Sequence, residues 1–119
     1  MNADAIRSYC LSKMAVTESF PFDNNTLVFK VANKMFALLS LERNPLRVSL
    51  KCHPERAIEL REQFSSIEGA YHMNKVHWNM ISLDGEVTKE LVLELIDHSY
   101  ELIVKSLTKK VRAEHKLEL

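Results

Sequence analysis

From Leu27 to Ala32 the apolar residues Leu27, Phe29 and Val31 alternate with Val28, Lys30 and Ala32, a period of two that predicts a strand with one buried face. Asn33-Lys34 follows as a tight turn, since asparagine tolerates positive φ better than other non-glycine residues. Met35 to Leu41 reads as a second strand, apolar on both faces, and Glu42-Arg43-Asn44-Pro45 as the next turn. Leu46, Val48 and Leu50 then alternate with Arg47, Ser49 and Lys51 in a third strand, so the meander is apolar inside and basic outside. A later alternation, Val76, Trp78 and Met80 against His77, Asn79 and Ile81, predicts the last clear strand, and Asp84-Gly85 turns the chain. Beyond that turn the spacing changes. Val92, Leu95, Ile96, Ser99, Tyr100, Ile103 and Leu107 recur every three or four residues, the stripe of a long one-sided helix capped by Thr88.

The remaining segments carry weaker signals. Ala3 to Met14 predicts a first helix with Ile6, Tyr9, Cys10 and Met14 on one face and Asn2 or Asp4 as its cap. Val16 to Asn25 reads as a connection in which Phe20-Pro21-Phe22 is extended before the proline, with both phenylalanines pinned to the core. His53-Pro54 opens a second helix, Pro54 near the position where its missing N–H is harmless, with a face of Ala57, Ile58, Leu60, Arg61 and Phe64. Gly69 marks a break, Ala70 to Asn74 a short strand or extended edge, and residues 113–119 a fraying end. Alternating strands followed by a one-sided helix predict an α+β fold: a two-layer α/β sandwich over residues 1–119, its antiparallel sheet of about five strands packed on the last helix.

Charge narrows the function classes. Sixteen basic and sixteen acidic residues cancel, so no global field attracts polyanions or membranes, and any electrostatic partner must meet a local patch. No apolar run approaches the ~20 residues that span a bilayer, and MNADAIRSYC lacks the features of a signal peptide. Cys10 and Cys52 stand far apart and outside any metal-type pair, which points to a reduced, cytoplasmic protein more than to a disulfide between them. A monomer is expected.

Five segments in order carry a family resemblance: Phe20-Pro21-Phe22; Val31-Ala32-Asn33-Lys34-Met35-Phe36-Ala37; Leu50-Lys51-Cys52-His53-Pro54-Glu55; Met73-Asn74-Lys75-Val76-His77-Trp78-Asn79; and Asp97-His98-Ser99-Tyr100-Glu101-Leu102. From about Tyr9 to Val111 the chain resembles the YjbR/MmcQ family of small bacterial proteins. Asn33 departs from the pattern, which has glycine before the lysine. The resemblance implies the element order α-β-β-β-α-β-β-α, a fold similar to secretion chaperones and compared with frataxin, and DNA binding through a double-wing motif.

Two clusters are candidates for function. Lys30, Lys34, Arg43, Arg47 and Lys51 set five basic residues against Glu42 alone, a local excess suited to phosphate contacts. The same residues also fit a solvated outer face whose lysines discourage edge pairing, and the zero net charge favours this reading. Asn74, Lys75, His77, Trp78 and Asn79 form the densest polar and aromatic group, where Trp78 either anchors a ligand or, as its alternation favours, lies in the core. Cys52, His53, His72 and His77 lack any zinc-ligand spacing, and two glycines leave no phosphate loop and no nucleophile elbow. Ser99 and Tyr100 read as packing. The expectation is a non-enzymatic binding domain with no metal or cofactor. Its partner is either DNA, bound weakly and without sequence specificity, or another protein in a chaperone- or adaptor-like role.

Overall fold

The computed structural model describes residues 1–117. In chain order the elements are α1 (Ala3–Leu11), β1 (Val16–Ser19), β2 (Thr26–Val31), β3 (Lys34–Ser40), β4 (Arg47–Lys51), α2 (Pro54–Gln63), β5 (Ile67–Gly69), β6 (Trp78–Ser82), α3 (Lys89–Ser106) and α4 (Lys109–Glu114). The six strands form one antiparallel sheet in the order β1-β2-β3-β4-β6-β5, with α3 laid across β3 and β4. This is the two-layer α+β architecture that the alternation implies, with one strand more than five and with an extra β1 and α4 in the expected element order.

Each addition has a local cause. Val16 to Ser19 is too short and polar to announce a strand, but it lies along β2 in register, Val16 opposite Val31 and Ser19 opposite Val28. The strand after α2 is Ile67–Gly69 and not Ala70 to Asn74, because turn bonds claim the later backbone: Met73 N–H donates to the Ala70 carbonyl, and His77 and Trp78 N–H to that of Asn74. Hence β6 starts at Trp78, and Val76 is an exposed turn residue. Helix α1 stops at Leu11, leaving Met14 exposed, while Asn2 Oδ1 accepts the Ala5 N–H as the cap. At the other end Thr108 caps α4 and Leu117 is buried, so the tail is packed where fraying is expected; Glu118 and Leu119 lie outside the described residues.

The β2–β3 hairpin turns on Ala32 and Asn33, with φ of 49° and 68°. Positive φ at both central residues is the mirror-image turn whose twist matches a hairpin. Asn33 therefore does what the glycine of the family pattern does. Ala32 is held left-handed at a cost of about 1 kcal/mol.

The pleat sends alternate residues to two separate cores. On the helix side Leu27, Phe29, Val31, Ala37, Leu39, Val48, Leu50 and Ile81 pack with Ile6, Ile96 and Ile103 of the helices. The partner register slips between Phe29–Ala37 and Lys30–Met35, so Phe36 is an extra residue in β3. Phe36 and Ala37 both enter the helix-side core, and the Phe36 ring meets Tyr100 edge-on at 5.3 Å. On the other face Val28, Leu38, Ala70, Trp78 and Met80 form a second cluster flanked by Met35 and Met73. The outside of the meander is thus apolar as well as basic, and among the described residues no helix packs on this cluster.

Candidate functional site

The uncovered face holds a groove of about 520 Å³. Met35, Leu38, Met73 and Met80 supply its apolar surface, Phe22 and Tyr71 its aromatic rim, and Thr26, Ser40 and Ser49 its hydroxyls. Asp23, Glu42, Arg43 and His72 also line it, two acids against one arginine and an imidazole. The rim is braced. Arg43 Nη2 donates to the Tyr71 hydroxyl at 2.7 Å, and the Tyr71 and His72 rings lie 4.1 Å apart. Asp23 Oδ1 accepts the N–H groups of Asn25 and Thr26, and this holds its carboxyl below the usual range. Phe22 is 64% exposed and Phe20 47%, which corrects the expectation that they pin their loop to the core. They follow the edge strand β1, beyond the reach of the helices, and the core beneath is already filled by Leu27, Phe29 and Val31.

The five basic candidates do not form one contiguous patch. Val48 and Leu50 enter the helix-side core, so Arg47, Ser49 and Lys51 face the open side; Lys30, opposite Met35, joins them. Lys34 and Arg43 stand past opposite ends of the face, with about 20 Å of β3 between them. Arg47 differs from the rest. Arg7, Arg43, Arg56, Arg61 and Arg112 each donate at least one hydrogen bond, whereas Arg47 makes none among the described residues. Its Nε is shut off from solvent and unpartnered.

The second candidate cluster is divided by the pleat. Trp78 is buried in the open-face cluster, and Asn79 points to the helix side. There Asn79 Oδ1 accepts from Arg61 Nε at 2.8 Å and Nδ2 donates to the Ala57 carbonyl at 3.2 Å, tying β6 to α2. Arg61 also donates to the Lys75 carbonyl, which fastens the loop before β6. Asn74, Lys75 and His77 lie exposed on that loop, and Asn74 Oδ1 accepts the Val76 N–H. None of these five residues lines the groove, although the loop's earlier residues Tyr71, His72 and Met73 do.

Nucleophile and metal chemistry find little here. Burial pushes the Cys10 thiol up to about 12 and raises that of Cys52, so neither is poised as a thiolate. Cys52, His53, His72 and His77 do not come together, and no group of three potential ligands occurs among the described residues. Tyr9 is held up at about 12, first by its hydrogen bond to Asp97, which also pairs with Lys13 and joins α1 to α3.

Among the described residues, His98 is the one histidine whose side chain hydrogen-bonds to another element. Its Nε2 accepts the His53 N–H at the start of α2 at 3.1 Å, so the imidazole must be neutral there. Burial first, then Arg56, hold its pKa below 6.5, with His53 acting in the same sense and Glu101 and Glu94 against it. This contribution is complete above the unfolded value of about 6.5 and is lost as the pH falls through it towards the folded value. The urea midpoint should therefore fall further between about pH 7.5 and pH 5 for wild type than for His98→Asn. Equal falls would show that the imidazole is not linked to folding.

A family model described as YjbR matches residues 11–102. The chain belongs to the YjbR family. It is 33% identical over 112 residues to the uncharacterized protein YjbR of Escherichia coli K12, covering 94% of this chain and 95% of that one. It is 34% identical over 91 residues to the uncharacterized protein YbdF of Escherichia coli O157:H7, covering 76% and 75%. The crystal structure of a Deinococcus radiodurans protein superposes with a TM-score of 0.93 at 45% identity, over 98% of this chain and 89% of that one. A Pseudomonas syringae protein follows with 0.74 at 28% identity, over 86% and 98%. The names of these YjbR relatives indicate no enzymatic activity. No helix among the described residues is long and apolar enough to cross a membrane.

Proposed function

We propose that this YjbR protein is a non-catalytic binding domain that receives a segment of another protein on the open face of its sheet. The observation that carries the reading is the methionine-lined groove on a sheet face without helices. Methionine side chains are flexible and polarizable and adapt to varied apolar partners. Rings exposed beside a half-buried apolar floor are what a docking surface requires. The two free buried thiols fit a reducing cytoplasm. A DNA reading has one observation in its favour, that Lys30, Arg47 and Lys51 share this face. Against it stand Asp23 and Glu42 on the groove and the zero net charge.

A photo-crosslinking phenylalanine analogue in place of Tyr71, compared with one in place of Glu90 on the helix layer, tests the reading in cells. A discrete adduct from position 71 is expected, sensitive to protease, indifferent to nuclease and reduced by Met35→Glu. An adduct removed by nuclease would favour DNA, whose affinity must then fall steeply with salt. No adduct at position 71 above the position-90 background would sink the open-face reading.

A further inference from the structure

The groove's polar end specifies more than an apolar ligand. Arg47 lies directly across from Ser40 on β3 and from Ser82 on β6, and Ser49 is two positions along its own strand. Residues opposite one another in an antiparallel pair share a face, and so do residues two apart. One guanidinium and three half-buried serine side chains are therefore gathered on the open face, across three adjacent strands. None of the four side chains makes a hydrogen bond to the protein among the described residues, although every other arginine does. Only Nε of Arg47 is buried without a partner, so its terminal nitrogens face solvent. Ser40 and Ser49 line the groove beside the methionine floor, and Arg47 and Ser82, which do not line it, adjoin them through the strand register at its edge.

We infer that the groove binds a peptide segment carrying a carboxylate, seated on Arg47 with Ser40, Ser49 and Ser82 around it, next to apolar side chains that lie on Met35, Leu38 and Met80. This rests on the open-face reading above and names the chemistry of its partner. A guanidinium presents paired donors that match a carboxylate, and a charge-assisted bond of this kind is about twice as strong as a neutral one. Serine hydroxyls supply further donors to the same oxygens. A peptide suits the site better than a nucleic acid strand. Glu42 on the groove and Glu68, opposite Met80 on the edge strand, would repel successive phosphates but leave room for one carboxylate beside Arg47. The exposed flat rings that bases would need, Phe22 and Tyr71, are on the rim loops, and Trp78 on the sheet is buried.

The intact chain, with its methionine methyl groups labelled with carbon-13, provides a located readout. Met35, Met73 and Met80 border the groove, whereas Met1 and Met14 do not. Three capped peptides are titrated: one with a single glutamate among leucines and a phenylalanine; its glutamine counterpart; and the glutamine peptide with a free C-terminal carboxylate. The glutamate peptide should shift the three groove methyls and leave Met1 and Met14 unmoved, with the glutamine peptide binding about tenfold more weakly. Arg47→Gln should remove that tenfold preference, and Arg47→Lys should restore only part of it, each with a thermal midpoint near that of wild type. Recovery of affinity by the free C-terminus would identify a chain end, and no recovery an acidic side chain, as the natural source of the carboxylate. Equal binding of the glutamate and glutamine peptides, or a preference that survives Arg47→Gln, would overturn the inference. So would unmoved groove methyls; if position 71 still crosslinks to a protein, the open-face reading stands and only the carboxylate is wrong.

Discussion

Replacing Ile103 with aspartate is expected to remove most or all of the stability of the fold. Ile103 is 5% exposed on α3, packed in the helix-side core. The substitution deletes a buried branched side chain and puts a carboxylate in its place with no partner at hand. The first change alone costs about 2–5 kcal/mol, and the second adds about 2 kcal/mol or more whether the acid stays charged or takes a proton. Native domains have about 5–15 kcal/mol in all. Circular dichroism at 25 °C should show lost helix or a melting midpoint far below that of wild type. A midpoint within a degree of wild type would mean that α3 does not lie on the sheet by this stripe.

Ser99→Ala should cost about 2–4 kcal/mol, much more than a surface serine. Ser99 is fully buried in the middle of α3. Its Oγ donates to the Phe36 carbonyl at 2.5 Å and accepts the Lys51 N–H at 2.9 Å. The β3–β4 pairing runs only as far as Ala37 and Leu50, so these two backbone groups lie just past the end of the ladder. The serine hydroxyl stands in for the missing rung, and alanine would leave a buried donor and a buried acceptor unpaired. Ser106→Ala is the control: its hydroxyl bonds a carbonyl of its own helix, and its loss should change stability by less than about 0.5 kcal/mol. Urea denaturation separates the two, and the Lys51 amide should exchange faster in Ser99→Ala. Equal midpoints for the two variants would refute this role for Ser99.

The stripe of α3 was readable because its burial follows a helical period, β2 and β4 because each places apolar residues in the helix-side core at every second position, and β3 because its run is apolar on both faces. Ser99 was readable as an inward position, but a hydroxyl's partners depend on where two strands stop pairing, which no local pattern records. The same limit hid the groove. Lys34 and Arg43 are close in sequence to the other basic residues, yet antiparallel pairing sends them to opposite ends of β3. Arg47, Ser40 and Ser82 are scattered along the chain and meet only through the β3–β4–β6 register. By contrast, the separation of Trp78 from Asn79 follows from the alternation itself, since neighbours on a strand face opposite ways. The edge strand β1 escaped because its alternating burial runs over only four residues, of which Val16 alone is apolar.

The two-sided sheet also has a consequence for how such a protein changes over time. Along β4 the residues that hold the helices, Val48 and Leu50, alternate with Arg47, Ser49 and Lys51, which do not. Neighbours separated by a rise of about 3.3 Å along the strand thus answer to different selection, one set for remaining folded and the other for what is recognised. A lineage can rewrite every second letter of this strand, trying new partners, without reopening the question of whether the molecule assembles.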